Sequence, residues 1–174
     1  MTWDRTNHPL ELPNIGNYAL IVNPLVHHYE LTKCLMDGGS SINIMYIATL
    51  LKLGLNETQL RHSDIVFHGV VPGRRACSMG SITLEVAFGN KKNYRQEPTT
   101  FEVVPFKSVY HVIFGRPAFI QFMATSNYIY NKLKMPGPNG IITVCGSFQK
   151  AQECEMGKAA FAESVLYGEE LAEF

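Results

Sequence analysis

Residues 37–41 read Asp-Gly-Gly-Ser-Ser, and Asp37 is the carboxylate whose setting asks most for a reason. It follows the apolar run Cys34-Leu35-Met36, and apolar residues resume at Ile42. Asp and Gly are common in turns, so a tight turn ending in a serine helix cap at Ser40 or Ser41 is one reading. A phosphate cradle fits poorly. No Lys follows the glycines, the stretch matches neither G-x-x-x-x-G-K-[ST] nor G-x-G-x-x-G, and an acid at its head would repel phosphate. A metal site needs more hard oxygen ligands, and Asp37 has no acidic neighbour close in sequence. The choice between a plain turn and a catalytic loop depends on the rest of the chain.

The composition narrows the classes. The chain has 174 residues, 46% of them hydrophobic and 17% charged, which indicates a single globular domain with tails. A formal net charge of zero gives no electrostatic reason to expect nucleic acid or an anionic membrane surface as partner. No apolar run approaches the ~20 residues of a membrane span. The polar start MTWDRTNH is not a signal peptide, so a cytoplasmic location is expected. The cysteines (Cys34, Cys77, Cys145, Cys154) and the histidines (His8, His27, His28, His62, His68, His111) show no zinc spacing. Neither metal nor cofactor is expected, and the thiols are expected free and buried. His27 and His28 read as a surface turn.

The elements that must position Asp37 follow from periodicity. Residues 1–16 form an extended arm, 17–150 the folded domain, and 151–174 an acidic linker or helix. Within the domain, 18–26 and 29–36 read as strands joined by a short turn. Residues 42–55 carry apolars at Ile44, Ile47, Leu50, Leu51 and Leu55, a helical stripe with Gly54 as its stop. Strands follow at 64–70, 78–89, 101–106 and 109–115, and Arg116-Pro117 opens a short helix. Pro136 to Gly140 marks the turn of a last hairpin. Phe101, Val103, Tyr110, Val112 and Phe114 read as core. The whole is mainly β and barrel-like, with one or two short helices.

"CLMDGGSS" resembles the hydrophobic-hydrophobic-Asp-Thr-Gly-Ser-Ser loop of pepsin-like and retropepsin-like aspartic proteases, and "YHVIFGRP" (110–117) resembles their second hallmark, an apolar strand ending in Gly. The chain is most similar to the protease domain in polyproteins of plant Ty3/gypsy-type retrotransposons, which resembles it in five segments in the same order, "FHGVVPGRRA", "GSITLEVAFG", "TFEVV", "YHVIFGRPAF" and "KLKMPGPNGIITV". The resemblance spans about residues 15–155.

It implies a single-lobe, closed acid-protease barrel and an aspartic endopeptidase. Such enzymes activate water between two carboxylates sharing one proton. The chain holds only Asp4, Asp37 and Asp64, and only Asp37 lies in a D-x-G loop, so the resemblance implies a homodimer with one catalytic Asp37 per subunit. Gly38, Gly39, Ser40 and Ser41 become the active-site loop, with Ser40 hydrogen-bonded to the Asp37 carboxylate. Gly69, Pro72, Gly73 and Arg74 become the flap over the substrate. Gly115 packs behind the loop, and Arg116 pairs with an acid at the dimer interface or stays solvated. The implied substrate is the polyprotein itself or a peptide from it. One residue departs from the pattern. Gly38 stands where these proteases usually have Thr, whose hydroxyl ties the two loops together. That keeps open a second function, a non-catalytic dimerisation or binding module of the same fold.

Overall fold

The computed structural model describes residues 1–7, 18–71 and 74–158, with side chains over the same range except 68–71 and 74–76. The expected flap tip at Pro72 and Gly73, the Arg74 side chain, arm residues 8–16 and the tail from 159 lie outside the described residues.

In chain order the strands are β1 (Ile21–Val22), β2 (Leu25–Val26), β3 (Tyr29–Glu30), β4 (Cys34–Met36), β5 (Ile44–Tyr46), β6 (Val66–Val71), β7 (Arg74–Cys77), β8 (Gly80–Asn90), β9 (Asn93–Val104), β10 (Val112–Phe114), β11 (Thr125–Asn127), β12 (Lys132–Gly137) and β13 (Gly140–Cys145). The helices are α1 (Ile47–Lys52), α2 (Arg116–Phe122) and α3 (148–158). Eight strands form one sheet in the order β1-β4-β10-β5-β9-β8-β2-β3, β11–β13 form a second, and β6–β7 a third. The expected mainly β, single-lobed class is what forms, and its barrel is a half-barrel: the ladder runs from β1 at one edge to β3 at the other.

The centre of the sheet explains why its strands read as unbroken apolar runs. β4, β10 and β5 lie side by side and are covered on both faces. Cys34, Met36, Met45, Val112 and Phe114 point into the main core, where the Phe114 ring centroid lies 5.7 Å from those of Phe88 and Phe101. Leu35, Ile44, Tyr46 and Ile113 point the other way, into a smaller cluster closed by Ala151 and Cys154 of α3. Helix α3 therefore begins ahead of residue 151 and packs as part of the body.

Several local expectations are met. Strand β2 turns into β3 through His27 and His28, whose φ values of 50° and 69° make the two-residue turn that suits strand twist. Helix α1 ends at Gly54 with φ +79°. Pro117 opens α2, and β12 and β13 form the expected hairpin. The five expected core residues are all buried.

Others need correction. Residues 42–55 are not one helix with a serine cap: 44–46 are strand β5, and α1 covers only Ile47–Lys52, with Tyr46 at its N-cap and no side-chain cap bond. Ladders from β10 on one side and β9 on the other bind Ile44–Tyr46, and five ladder partners outweigh a helical stripe that isolated spacing would favour. The 18–26 strand divides at Asn23-Pro24, because proline has no N–H for a ladder. Strand β9 begins at Asn93, well before 101, and pairs with β8 residue for residue from Asn90↔Asn93 to Gly80↔Val103. Cys34 and Cys154 are buried and free as expected, whereas Cys77 and Cys145 are free but exposed.

The first seven residues dock on β12. The buried Lys134 ammonium donates to the Thr2 carbonyl at 2.6 Å and to Asn7 Oδ1 at 3.0 Å, and lies 4.7 Å from the centroid of the Trp3 ring. Those acceptors and the ring satisfy a charge that burial alone would penalise.

Candidate active site

Strands β4 and β10 are parallel and in register, with Met36 beside Phe114. The next residue of each strand therefore leaves the sheet at the same level, and these are Asp37 and Gly115. The Asp37 amide donates to the Phe114 carbonyl at 2.8 Å. The loop then closes on itself. The Gly39 amide donates to Asp37 Oδ1 at 2.9 Å and the Ser40 amide to the Asp37 carbonyl at 3.1 Å. This is the aspartate-headed turn that local sequence allows, and it fixes the orientation of the half-buried carboxylate.

Gly115 lies behind the loop at a separation that only glycine permits. A Cβ there would fall 2.2 Å from the Ile42 carbonyl oxygen and 2.7 Å from that of Ser40. The Arg116 amide donates to the same Ser40 carbonyl at 2.8 Å, while the Arg116 residue itself is exposed. Gly38 and Gly39 are exposed, so the outer face of the loop carries no side chain. Ser41 is exposed as well. Structure thus brings Asp37, Gly39, Ser40, Gly115 and the Arg116 backbone into one unit.

The Ser40 hydroxyl is not where expected. It donates to the Ile42 carbonyl at 2.7 Å and accepts the Ile42 amide at 3.4 Å, so it braces the loop and leaves the Asp37 carboxylate to the Gly39 amide. A side chain two residues from its acceptor needs no loop distortion to reach it, and that local bond wins.

Two supporting residues escaped the sequence reading. Asn43 is buried; its Oδ1 accepts the Gly115 amide at 2.8 Å and its Nδ2 donates to the Thr100 carbonyl at 3.1 Å. Its own carbonyl takes the Glu102 amide at 2.8 Å, so this one residue ties the loop, β10 and β9 together. A lone Asn within the apolar run Ile42–Ile44 was the available signal. Tyr128 is the other: its hydroxyl accepts the Gly38 amide at 3.3 Å and donates to the Met36 carbonyl at 2.9 Å. No local pattern marks it.

Strands β6 and β7 pair as a hairpin, with a break in register between His68 and Val71 that contains Gly69. Phe67 anchors its base in the smaller core cluster. A cleft of about 760 Å³ lies between the β2–β3 turn, the β8–β9 hairpin and β13, lined by Leu25, Phe88, Tyr94 and Ile142 among others; none of residues 37–41 lines it. Asp37 thus sits on an open face and not in this concavity. Among the described residues no group of three or more His, Cys, Asp or Glu is placed to hold a metal ion, and no helix is long and apolar enough to cross a membrane.

No protein-family model matches the chain, and no curated protein matches it. Solved structures do. The retroviral protease-like domain of Ddi1 from Leishmania major superposes with a TM-score of 0.54 at 17% identity, over 74% of this chain and 93% of that one. A retropepsin-like aspartic protease from Rickettsia conorii gives 0.46 at 15% identity, over 71% of this chain and 79% of that one. The EIAV protease complexed with the inhibitor HBY-793 gives 0.49 at 16% identity, over 67% and 99%. The mainly β half-barrel and the Ddi1 superposition together give the chain a retropepsin-like fold.

Proposed function

We propose that the chain is an aspartic endopeptidase acting as a homodimer, each subunit supplying one Asp37. Two carboxylates sharing a proton would divide the work: the ionised one takes a proton from water as it attacks the peptide carbonyl, and the protonated one donates to the developing oxyanion. The observation that carries this reading is the Asp37 loop itself. A central strand delivers the carboxylate, Gly115 and Asn43 hold the loop from behind, and two bare glycines leave its front open to a second loop.

By resemblance, the substrate is the polyprotein of a plant Ty3/gypsy-type retrotransposon, cut at apolar sites. Residues 17–150 would be the protease domain between segments 1–16 and 151–174, of which residues 1–7 and 151–158 dock on it, working in the cytoplasm or in virus-like particles. The β6–β7 hairpin, with Gly69, Pro72, Gly73 and Arg74, would be the flap. Neither cofactor, nucleic acid nor membrane enters this chemistry. The test is hydrolysis of a peptide library by the full chain. Cleavage blocked by a pepstatin-type inhibitor and abolished by Asp37→Asn is expected; cleavage that survives Asp37→Asn would overturn the assignment.

Gly38 supports a second reading, a dimerisation or binding module without activity, because it offers no hydroxyl to tie two loops together. A stable dimer that cleaves no peptide is the outcome that would favour it.

A further inference from the structure

Parallel strands place their beginnings together as well as their ends. Lys33 and His111 precede β4 and β10, at the end of this strand pair opposite to Asp37 and Gly115. There they line a cleft of about 270 Å³ with Lys52 of α1, Tyr46, Ser108 and Glu153 of α3. The charges in it do not balance. Glu153 is paired with Lys150 at 3.3 Å, while Lys33 and Lys52 have no ion-pair partner among the described residues. The backbone amide of Lys33 donates to His111 Nδ1 at 3.2 Å, so the neutral imidazole carries its proton on Nε2 and is a donor there. Burial first, then Lys52, Lys33 and Lys150, holds His111 below its ordinary range. The cleft thus holds two unpaired ammonium groups, beside one paired carboxylate, on a chain whose net charge is zero.

We propose that this cleft binds a phosphate-type oxyanion between Lys33 and Lys52. A dianion answers both unpaired ammonium groups, where a single carboxylate would answer one; lysine serves as a point-charge phosphate ligand. With about 30 Å³ as a water's share of volume, the cleft has room for a phosphate group and several waters. None of its residues belongs to the Asp37 unit, so this site stands whether or not the chain is a protease.

The test is a titration of the full chain with inorganic phosphate, and separately with O-phosphoserine, at constant ionic strength, read from the NMR signals of the His111 ring. A saturable shift is expected with a dissociation constant of about a millimolar or below. Lys33→Ala with Lys52→Ala should weaken it at least about tenfold, and Lys52→Ala alone, at an exposed helix position, should weaken it in part. Lys91→Ala, in the exposed β8–β9 turn, should leave it unchanged. Binding of both compounds identifies a free anion as sufficient, and binding of phosphoserine alone identifies a phosphorylated side chain as the source. Absence of saturation with either, or equal weakening by Lys91→Ala, overturns the proposal.

Discussion

The Tyr128 hydroxyl receives the amide of Gly38 across 90 residues of sequence, at 3.3 Å, and passes its own proton to the carbonyl of Met36 at 2.9 Å. It bridges the residue before Asp37 and the residue after it. The strand end that carries Asp37 is thereby held from the second sheet's side of the molecule as well as from Gly115. Tyr128→Phe removes only the hydroxyl. Because Tyr128 and Gly38 are exposed, water replaces much of what is lost, and stability should fall by only about 0.5–1 kcal/mol. In the proposed endopeptidase, turnover should fall further, about three- to tenfold in kcat with KM little changed, because a loosened Asp37 would misplace the attacking water. Thermal melts beside peptide kinetics check this. A large drop in Tm with unchanged kcat would make Tyr128 a simple prop.

Gly38 can take the threonine it lacks. Its φ lies outside the left-handed region, and the nearest atom to an added Cβ is the Tyr128 hydroxyl oxygen at 4.0 Å. Gly38→Thr should therefore fold normally and, in the proposed homodimer, add one cross-dimer hydrogen bond per subunit. At about 1 kcal/mol each, two bonds lower the dimer Kd by roughly 30-fold. Sedimentation equilibrium would measure it, and an unchanged Kd would remove Gly38 as the weak point of the dimer.

Gly115→Ala should be severe. The added Cβ meets the carbonyl oxygens of Ile42 and Ser40, and the Ser40 carbonyl is already held by the Arg116 amide. Backbone atoms cannot swing aside as a side-chain tip can, so the cost should reach about 3 kcal/mol, the upper end for overpacking. Urea denaturation of the two proteins gives the difference directly. A loss under about 1 kcal/mol would mean the loop shifts freely, contrary to the bracing described above.

His111 sets a pH dependence of known sign. Burial, then Lys52, Lys33 and Lys150, lowers its folded pKa below 6.5, and Glu153 is the acid facing the same cleft. The unfolded chain therefore binds this proton more readily than the folded one. The stability associated with the neutral ring is complete above pH 6.5 and is lost as pH falls from there through the folded pKa. Denaturation midpoints in phosphate-free buffer should decline over that window, and His111→Gln should flatten the decline. Parallel curves for the two proteins would assign the pH dependence to other groups.

The legible parts of this molecule were local ones. The Asp37 turn, the His27-His28 turn, the Gly54 stop and the Pro136–Gly140 hairpin each need a particular residue at a particular backbone conformation, so residue type alone marks them. The illegible parts depend on partners distant in sequence. Ile44–Tyr46 fits a helical stripe as well as a strand, and the neighbouring strands β9 and β10 decide for the strand. Asn43 reaches Gly115 across 72 residues and Tyr128 reaches Gly38 across 90, distances over which a linear pattern does not name the partner.

What the sequence by itself determined is the chemistry on offer: one carboxylate in a glycine loop, with no second such loop in the chain, and a glycine where the protease loop it resembles carries threonine. Only the tertiary structure decided how that carboxylate is held. Parallel pairing of β4 with β10 places Asp37 level with Gly115, and the Ser40 hydroxyl turns away to the Ile42 carbonyl. Asn43 and Tyr128 then supply the ties that remain. The reason is physical: a turn is specified by a few dihedral angles within one stretch of chain, whereas a buried amide finds its acceptor in whatever distant segment the packed core brings beside it.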